Sequence, residues 1–174
     1  MQKYKRVYLE ISNICNLSCS FCPIDQRQQE TMSLDHFQKI IHQVKPLTEQ
    51  ICLHLMGEPL AHPNFKEVLE ICSENNCKIQ LTTNGILLKK WSELILSHQS
   101  VVQVNISLQS YMDNFPNKEI TPYLEGLYSF VESTRELRPE LYINLRLWNV
   151  ANEVESDHAH VNDCLLYTSP SPRD

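Results

Sequence analysis

Short apolar strands alternate with helices along most of this chain, and this order constrains its fold more than any other feature. Strands are predicted where aliphatic and polar residues alternate, and helices where apolar residues recur every three or four positions. Such an order is typical of repeated βα units that build a parallel sheet. The predicted strands are 6–11, 50–56, 78–82, 101–108 and 141–148, and the predicted helices begin after Ser33, Pro63 and Gly85 and at Thr121.

The side chains of these strands divide into an aliphatic set and a polar set. Since side chains alternate across a strand, the aliphatic set should lie under the helices and the polar set on one concave face. A polar inner face excludes a plain three-layer sandwich and favours a curved, barrel-like sheet with its site at the carboxyl ends of the strands. The aliphatic set is Val7, Leu9, Ile11, Ile51, Leu53, Leu55, Ile79, Leu81, Val102, Val104, Ile106, Leu108, Ile143, Leu145 and Leu147. The polar set is Tyr8, Glu10, Ser12, Cys52, His54, Met56, Gln80, Thr82, Asn84, Gln103, Asn105, Ser107, Asn144, Arg146 and Trp148.

Three cysteines, Cys15, Cys19 and Cys22, follow the first predicted strand with the spacing C-x3-C-x2-C. Thiolates bind soft or borderline metals. A structural zinc site takes four protein ligands, whereas a [4Fe–4S] cluster held by three cysteines keeps one iron open to another ligand. From the residues alone, half of a zinc site and part of a disulfide framework are the alternatives to a cluster.

With Phe21 before the third cysteine, this stretch resembles the C-x3-C-x-aromatic-C signature of the radical S-adenosylmethionine (SAM) superfamily. The resemblance implies a [4Fe–4S] cluster on Cys15, Cys19 and Cys22, with the amino and carboxylate groups of SAM on the open iron. It implies that one electron, from a donor such as flavodoxin or ferredoxin, cleaves SAM to methionine and a 5′-deoxyadenosyl radical. The implied fold is α/β, a partial (β/α)6 TIM-like barrel with about five βα units present.

Residues at the ends of three strands resemble the SAM-binding segments of that family. Gly57-Glu58-Pro59 resembles the Gly-Gly-Glu-Pro motif for the SAM amino group, although Met56 replaces the first glycine. Thr83-Asn84-Gly85 resembles the T-N-G segment beside the SAM site, and Ser107 stands where members often place a hydroxyl near the ribose or carboxylate. The alternatives are an ordinary strand-to-helix turn, an Asn-Gly turn and a buried serine.

Arg146 has the polar parity of the fifth strand, where an unpaired guanidinium is costly to bury. Two partners are open: Glu10 across the barrel, or the SAM carboxylate, which a guanidinium can bind through two parallel hydrogen bonds. His54 shares this parity and is interpreted as a hydrogen-bonded core histidine. The remaining cysteines before position 164 are interpreted as packed thiols: Cys52, Cys72 and Cys77.

The overall charge and hydropathy exclude several classes of partner. A net charge of −6 argues against a basic face that grips nucleic acid. No leader opens the chain, and no run approaches the ~18 apolar residues that a membrane span needs. We therefore expect a cytoplasmic, reducing compartment, in which the cysteines are metal ligands or packed thiols.

The last residues, 164–174, break from everything before them and resemble the translation of a transposase-type sequencing adapter. We therefore expect 1–163 to be the biological sequence, a radical SAM core that is cut off after its fifth strand, with one or more βα units missing. The predicted function is that of a radical SAM enzyme that abstracts hydrogen from an unknown substrate. The alternative function is a non-catalytic scaffold that holds zinc on the three cysteines and a histidine.

Overall fold

The computed structural model describes residues 4–147, in which five parallel strands form a single sheet. The strands are β1 (Val7–Tyr8), β2 (Gln50–Cys52), β3 (Lys78–Thr83), β4 (Val101–Ser107) and β5 (Tyr142–Arg146). Each strand pairs with the next one along the chain, so spatial order follows chain order. A βα barrel advances in this way, whereas a doubly wound sheet reverses its order partway. The predicted α/β, partial TIM-like barrel is confirmed.

Helices connect the strands: α1 (Leu34–Val44), α2 (Phe65–Glu74), α3 (Leu88–Ser97), α4 (Gln109–Asn114) and α5 (Thr121–Leu137), with a 3₁₀ turn at Pro59–Ala61. As predicted, Ser33 caps α1, because its Oγ accepts a hydrogen bond from the His36 N–H at 3.3 Å. Sequence analysis missed α4 and the 3₁₀ turn, which are too short to show an apolar period. No helix within residues 4–147 is long and apolar enough to cross a membrane.

The aliphatic parity of the strands forms the core, as predicted, except at the start of β4, where a register shift buries Val101 in place of Val102. Ile51, Ile79, Leu81, Val104 and Ile106 are completely buried. They share one hydrophobic cluster with residues of four helices: Phe37, Ile41, Phe65, Val68, Leu69, Leu88, Ile95, Leu127 and Phe130. Burial of this stripe fixes which face of the sheet the helices cover.

Strand ends were predicted less well than strand centres. The first strand was predicted to run to residue 11 and the second to residue 56, but β1 ends at Tyr8 and β2 ends at Cys52. Leu55 is 63% exposed rather than buried, because the alternation stops where the chain leaves the sheet. The predicted end of the fifth strand at Trp148, the polar loop 149–163 and the tail 164–174 lie outside the described residues.

The polar parity of the strands forms a hydrogen-bonded inner layer. Gln80 Nε2 donates to Gln50 Oε1 at 3.1 Å, and Arg6 Nη1 donates to Gln80 Oε1 at 3.2 Å. Further along β3, Asn105 Nδ2 donates to Thr82 Oγ1 at 3.2 Å, and the two residues are register partners. Buried polar side chains need such partners. The predicted polar inner face is present across β1 to β4.

His54 belongs to this inner face. Its ring meets the edge of Tyr8 at 5.5 Å between centroids, and its Nε2 lies 3.1 Å from Thr82 Oγ1. Its buried Nδ1 has no hydrogen-bond partner in the described part of the chain. Burial, and then the positive charge of Arg146, lowers the pKa of His54 to about 4. The imidazole is therefore neutral near pH 7, in agreement with a core histidine.

Arg138 is a buried cation that the sequence analysis did not single out. The residue is 4% exposed, and Nη1 donates to Leu96 O at 3.0 Å and to His98 O at 3.1 Å. Nη2 donates to Val101 O at 3.2 Å, and Nε donates to Glu140. These carbonyls lie where α3 ends and β4 begins, so one guanidinium satisfies acceptors that the helix leaves open. Arg138 thereby fastens the end of α5 to the turn between α3 and β4.

Replacing Arg138 with methionine should destabilise the chain by about 3 kcal/mol, because buried carbonyls lose their donors. Urea unfolding followed by circular dichroism measures the loss. Arg135→Met, an exposed change in the last turn of α5, is the matched control and should shift stability by less than about 0.5 kcal/mol. Equal unfolding midpoints for the two variants would contradict the bracing role of Arg138.

The neutral His54 predicts a specific sensitivity to acid. Its folded pKa of about 4 is below the unfolded value of 6.5, so between these values the unfolded chain binds a proton that the folded chain does not. Stability should therefore fall as the pH drops through this window. We expect the wild type to lose about 2 kcal/mol more than His54→Gln between about pH 7 and about pH 4.5 in urea titrations. The exposed change His42→Gln is the control and should show the pH dependence of stability that the wild type shows. The same pH dependence in His54→Gln would contradict the prediction.

Candidate functional site

The cysteines lie on a loop that leaves the sheet after β1 and returns at the start of α1. An antiparallel bridge between Ser12 and Thr31 closes the base of this loop. The Met32 N–H donates to Ile11 O at 2.8 Å just below the bridge. Segment 13–30, which we call the cysteine loop, therefore projects from the carboxyl end of β1, with both of its ends held together at the bridge.

Asn13 holds the two arms of the cysteine loop together. Its Oδ1 accepts the Glu30 N–H at 2.7 Å, while its Nδ2 donates to Gln28 O at 2.9 Å and to Asp25 Oδ2 at 3.2 Å. Such pairing with backbone groups is a common use of asparagine in loops. The sequence analysis did not identify this residue, because nothing in its spacing marks partners so far along the chain.

Glu10 pairs with Arg27 of the cysteine loop and not with Arg146. Arg27 Nη1 lies 2.6 Å from Glu10 Oε1, and Nη2 lies 3.2 Å from Oε2. The Met56 N–H also donates to Glu10 Oε2 at 2.8 Å. The Glu10–Arg146 pair, one of the two predicted alternatives, is therefore wrong, since nearer donors occupy both carboxylate oxygens. Within residues 4–147 no salt bridge joins Arg146 to a carboxylate.

The three cysteines of the loop are free thiols, with Cys15 and Cys22 exposed and Cys19 partly buried. The Cys22 N–H donates to Cys19 O at 3.1 Å, which closes a turn. Burial raises the pKa of the Cys22 thiol, and the neighbouring Cys19 and Cys15 sulfurs raise it further. Thiolates this close to one another repel, so each makes the next harder to ionise. A bound cationic centre would remove this repulsion, and the three thiols therefore favour metal binding. The other described cysteines are buried, as predicted: Cys52, Cys72 and Cys77.

The donors that the cysteine loop offers are three free thiols. A cubane cluster takes its cysteine thiolates on separate iron atoms. A zinc ion needs its sulfur ligands at about 2.3 Å from one point. Within residues 4–147 no three His, Cys, Asp or Glu side chains are placed to hold one metal ion. The donor set is thus that of a cluster site, and the zinc scaffold has no support in the described residues.

Gly57 brings the loop after β2 directly onto the cysteine loop. Its φ is +72°, and a Cβ on it would lie 2.4 Å from Ser12 O and 2.8 Å from the Asn13 carbonyl carbon. The next residue continues the contact, since the Glu58 N–H donates to Ile14 O at 2.9 Å. Only glycine combines this conformation with this approach. The structure thus gives Gly57 a packing role, and its contact with SAM stays a prediction.

The carboxylate of Glu58 joins the loops that follow β2 and β3. The residue is 2% exposed, and its Oε1 accepts the Leu60 N–H at 3.0 Å. Its Oε2 accepts the Asn84 N–H at 2.8 Å, and the Thr83 side chain is also hydrogen-bonded to it. Burial raises the pKa of this carboxyl group against the effect of these donors. Pro59, which begins the 3₁₀ turn, is buried beside it.

Thr83 and Asn84 form a turn, and Asn84 also contacts the cysteine loop. Thr83 Oγ1 accepts the Gly85 N–H at 3.0 Å, as in an ordinary hydroxyl turn. Asn84 Nδ2 donates to Asn16 Oδ1 at 2.9 Å and lies 3.8 Å from Cys15 Sγ. The predicted turn is therefore present, and the contact of Thr83 and Asn84 with SAM stays a prediction.

The short helix α4 also forms hydrogen bonds with the cysteine loop. Asp113 accepts the Ser20 N–H at 2.6 Å on Oδ2 and the Ser20 hydroxyl at 2.5 Å on Oδ1. Asn114 Oδ1 accepts the Ser18 N–H at 2.8 Å, and its Nδ2 donates to Cys19 Sγ at 3.1 Å. Sequence analysis missed both residues. The available signal was a pair of polar residues soon after a strand that ends at this edge of the sheet.

Ser107 and Arg146 are register partners at the carboxyl ends of β4 and β5. Both are partly buried, as is Phe21 in the cysteine loop. The structure therefore brings the loops with Gly57, Glu58, Thr83 and Asn84 into contact with the cysteine loop, and it sets Ser107 and Arg146 together on the neighbouring strand ends. Their contacts with SAM stay predictions.

Known proteins match most of the described residues, including the cysteine loop. The family model described as Radical SAM superfamily matches residues 9–144. The subtilosin biosynthesis protein AlbA of Bacillus subtilis is 31% identical over 104 residues, 58% of this chain and 23% of AlbA. A probable GTP 3′,8-cyclase of Methanococcus maripaludis is 34% identical over 117 residues, 65% of this chain and 39% of the cyclase. The chain thus spans well under half the length of these relatives.

Solved structures share the fold. SuiB of Streptococcus suis, bound to the precursor peptide SuiA, superposes with a TM-score of 0.61 at 23% identity, over 76% of this chain and 31% of SuiB. The structure of anSMEcpe with AdoMet and a peptide gives a TM-score of 0.65 at 16% identity, over 94% of this chain and 46% of that one. The family match spans the cysteine loop and the whole of β2, β3 and β4, which is well over half of the chain. The chain belongs to the radical SAM superfamily, whose members bind a [4Fe–4S] cluster and cleave SAM.

Proposed function

We propose that this chain is the SAM-cleaving part of a radical SAM enzyme, with the cluster held by Cys15, Cys19 and Cys22. One observation carries the proposal: the loops after β2 and β3 and the helix α4 all contact the cysteine loop at one edge of the sheet. When bound there, the reduced cluster and SAM supply a 5′-deoxyadenosyl radical, which takes hydrogen from a substrate and leaves as 5′-deoxyadenosine.

The chain's own groups suit the parts of SAM that they would meet. The backbone at Gly57-Glu58-Pro59 passes close to the cysteine loop and offers carbonyl acceptors to an ammonium group. Glu58 acts here as a positioning residue, because its oxygens accept hydrogen bonds from its own chain. Thr83 and Asn84 lie at the end of β3 beside this segment, and Phe21, which is partly buried, directly precedes Cys22 in the loop.

Ser107 and Arg146 are assigned to the carboxylate and the ribose of SAM. Arg146 forms no salt bridge among the described residues, and its charge reaches the inner face, where it lowers the pKa of His54. A guanidinium in this position can bind a carboxylate through two parallel hydrogen bonds. The Ser107 hydroxyl, its register partner, would bind the ribose or the same carboxylate.

The substrate is left open by this proposal. One relative is named for bacteriocin biosynthesis and another for GTP cyclisation, yet both match this chain. The shared part therefore supports radical generation and not a substrate class. We assign the electron to a donor such as flavodoxin or ferredoxin, and the chain to the reducing cytoplasm, which keeps its thiols free. Residues 1–163 form the core in this proposal, and 164–174 are a non-native tail.

Cys19→Ala should abolish both cluster assembly and SAM cleavage, because two thiolates cannot hold a cluster that needs three. The chain is reconstituted anaerobically with iron and sulfide and reduced with SAM present, and iron content and 5′-deoxyadenosine are measured. Cys77→Ala, which removes a buried thiol outside the loop, is the matched control and should keep both. Full cleavage by Cys19→Ala would overturn the assignment.

Glu58→Gln should weaken SAM binding about tenfold without loss of iron, because an amide NH2 would face a backbone N–H that now has an acceptor. Titration of the reconstituted protein with SAM measures the affinity. Glu67→Gln makes the same change at an exposed position of α2 and should bind SAM like the wild type. Wild-type affinity in Glu58→Gln would show that the carboxylate does not position the site.

A further inference from the structure

The side-chain amide of Asn114 is oriented by three hydrogen bonds, two of them to the cysteine loop. Its Oδ1 accepts the Ser18 N–H at 2.8 Å. Its Nδ2 donates to Ser110 O at 2.9 Å within α4 and to Cys19 Sγ at 3.1 Å. These partners fix which end of the amide carries the protons, because a flipped amide would set its NH2 against the Ser18 N–H and its oxygen against a carbonyl. The neighbouring Asp113 binds Ser20 and so holds the same part of the loop.

Among the contacts of residues 4–147, this N–H···S hydrogen bond is the shortest to a thiol of the cysteine loop, since Cys15 Sγ accepts the Leu17 N–H at 3.5 Å. The corresponding distance from Asn84 Nδ2 to Cys15 Sγ is 3.8 Å, which is a much weaker contact. Asn114 also lies on α4, which follows directly from β4 and packs through Tyr111 on Tyr123 of α5, with 4.5 Å between the ring centroids. The donor is therefore held by a helix that packs in the fold and not by the loop that it contacts.

We propose that Asn114 is a positioning residue that raises the reduction potential of the cluster through its N–H···S hydrogen bond to Cys19. The inference rests on the proposed function, since it requires a cluster on the loop. Reduction adds negative charge to a cluster and its sulfur ligands, so a donor at sulfur stabilises the reduced form more than the oxidised form. Loss of that donor makes the cluster harder to reduce.

Two variants separate the donor from the rest of the side chain. Asn114→Asp keeps an oxygen for the Ser18 N–H but has no N–H for Cys19. Asn114→Ala removes both contacts and adds no charge. Asn117→Asp makes the same chemical change as the first variant at an exposed position just beyond α4, and so controls for charge alone.

The reduction potential of each reconstituted, full-length chain is measured by a redox titration followed by electron paramagnetic resonance, without SAM. Both Asn114 variants should have a more negative potential, equivalent to a fall of about twofold to tenfold in the equilibrium constant for reduction. A tenfold fall corresponds to about 59 mV for one electron. Asn117→Asp should match the wild type.

Each remaining outcome is decisive. A wild-type potential in Asn114→Ala at full iron content overturns the inference, as does a shift of the same size in Asn117→Asp. If both Asn114 variants fold by circular dichroism but bind no iron, Asn114 is needed for assembly and the inference about potential is rejected. If the wild-type chain itself binds no cluster, the proposed function fails first, and that result is distinct from the others.

Discussion

The site depends on the close approach of two backbones, that of Gly57 and that of Ser12 and Asn13. A side chain at position 57 would lie 2.4 Å from a carbonyl oxygen, so the cysteine loop and the loop after β2 could not both keep their places. The family motif has a second glycine at the position of Met56. Here Met56 has no positive φ, and its N–H bonds to Glu10, so an ordinary L-residue is unstrained there.

Negative groups gather around this contact. Burial is the main cause that raises the pKa of the Cys15 and Cys22 thiols. The charge of the buried Glu58 raises the pKa of Cys15 further, and the charge of Asp113 raises that of Cys22. The positive Arg27 is engaged by Glu10 and does not offset them. A site that concentrates carboxylates and thiols in this way is stabilised when positive charge enters. The iron ions of a cluster would supply that charge at the thiols, and the SAM ammonium group would supply it at Glu58 if the proposed contact forms.

The sequence pattern alone predicted the sheet, because aliphatic and polar residues alternate along each strand. The alternation of Ile79, Leu81 and Gln80, Thr82 indicates which face is buried without knowledge of any partner. The site is different, since its contacts join residues that are far apart in the chain. Asn114 reaches Cys19 across the fold, and no spacing in the sequence encodes that pair. The three cysteines were found because they are close together in sequence, and the Glu10–Arg146 pair was wrong because parity cannot rank partners across a barrel.

The position of these contacts explains why relatives with different names match the same stretch of chain. Every side chain described above as touching the cysteine loop from outside comes from the strand ends and helices up to Asn114. The parts that place the thiols are therefore complete at Asn114, whereas one predicted SAM contact, Arg146, lies further along the chain on β5. The parts of the longer relatives outside the matched stretch can differ without disturbing these contacts, because loops at the carboxyl ends of barrel strands change independently of the sheet that carries them. One shared stretch can therefore occur in relatives whose names differ.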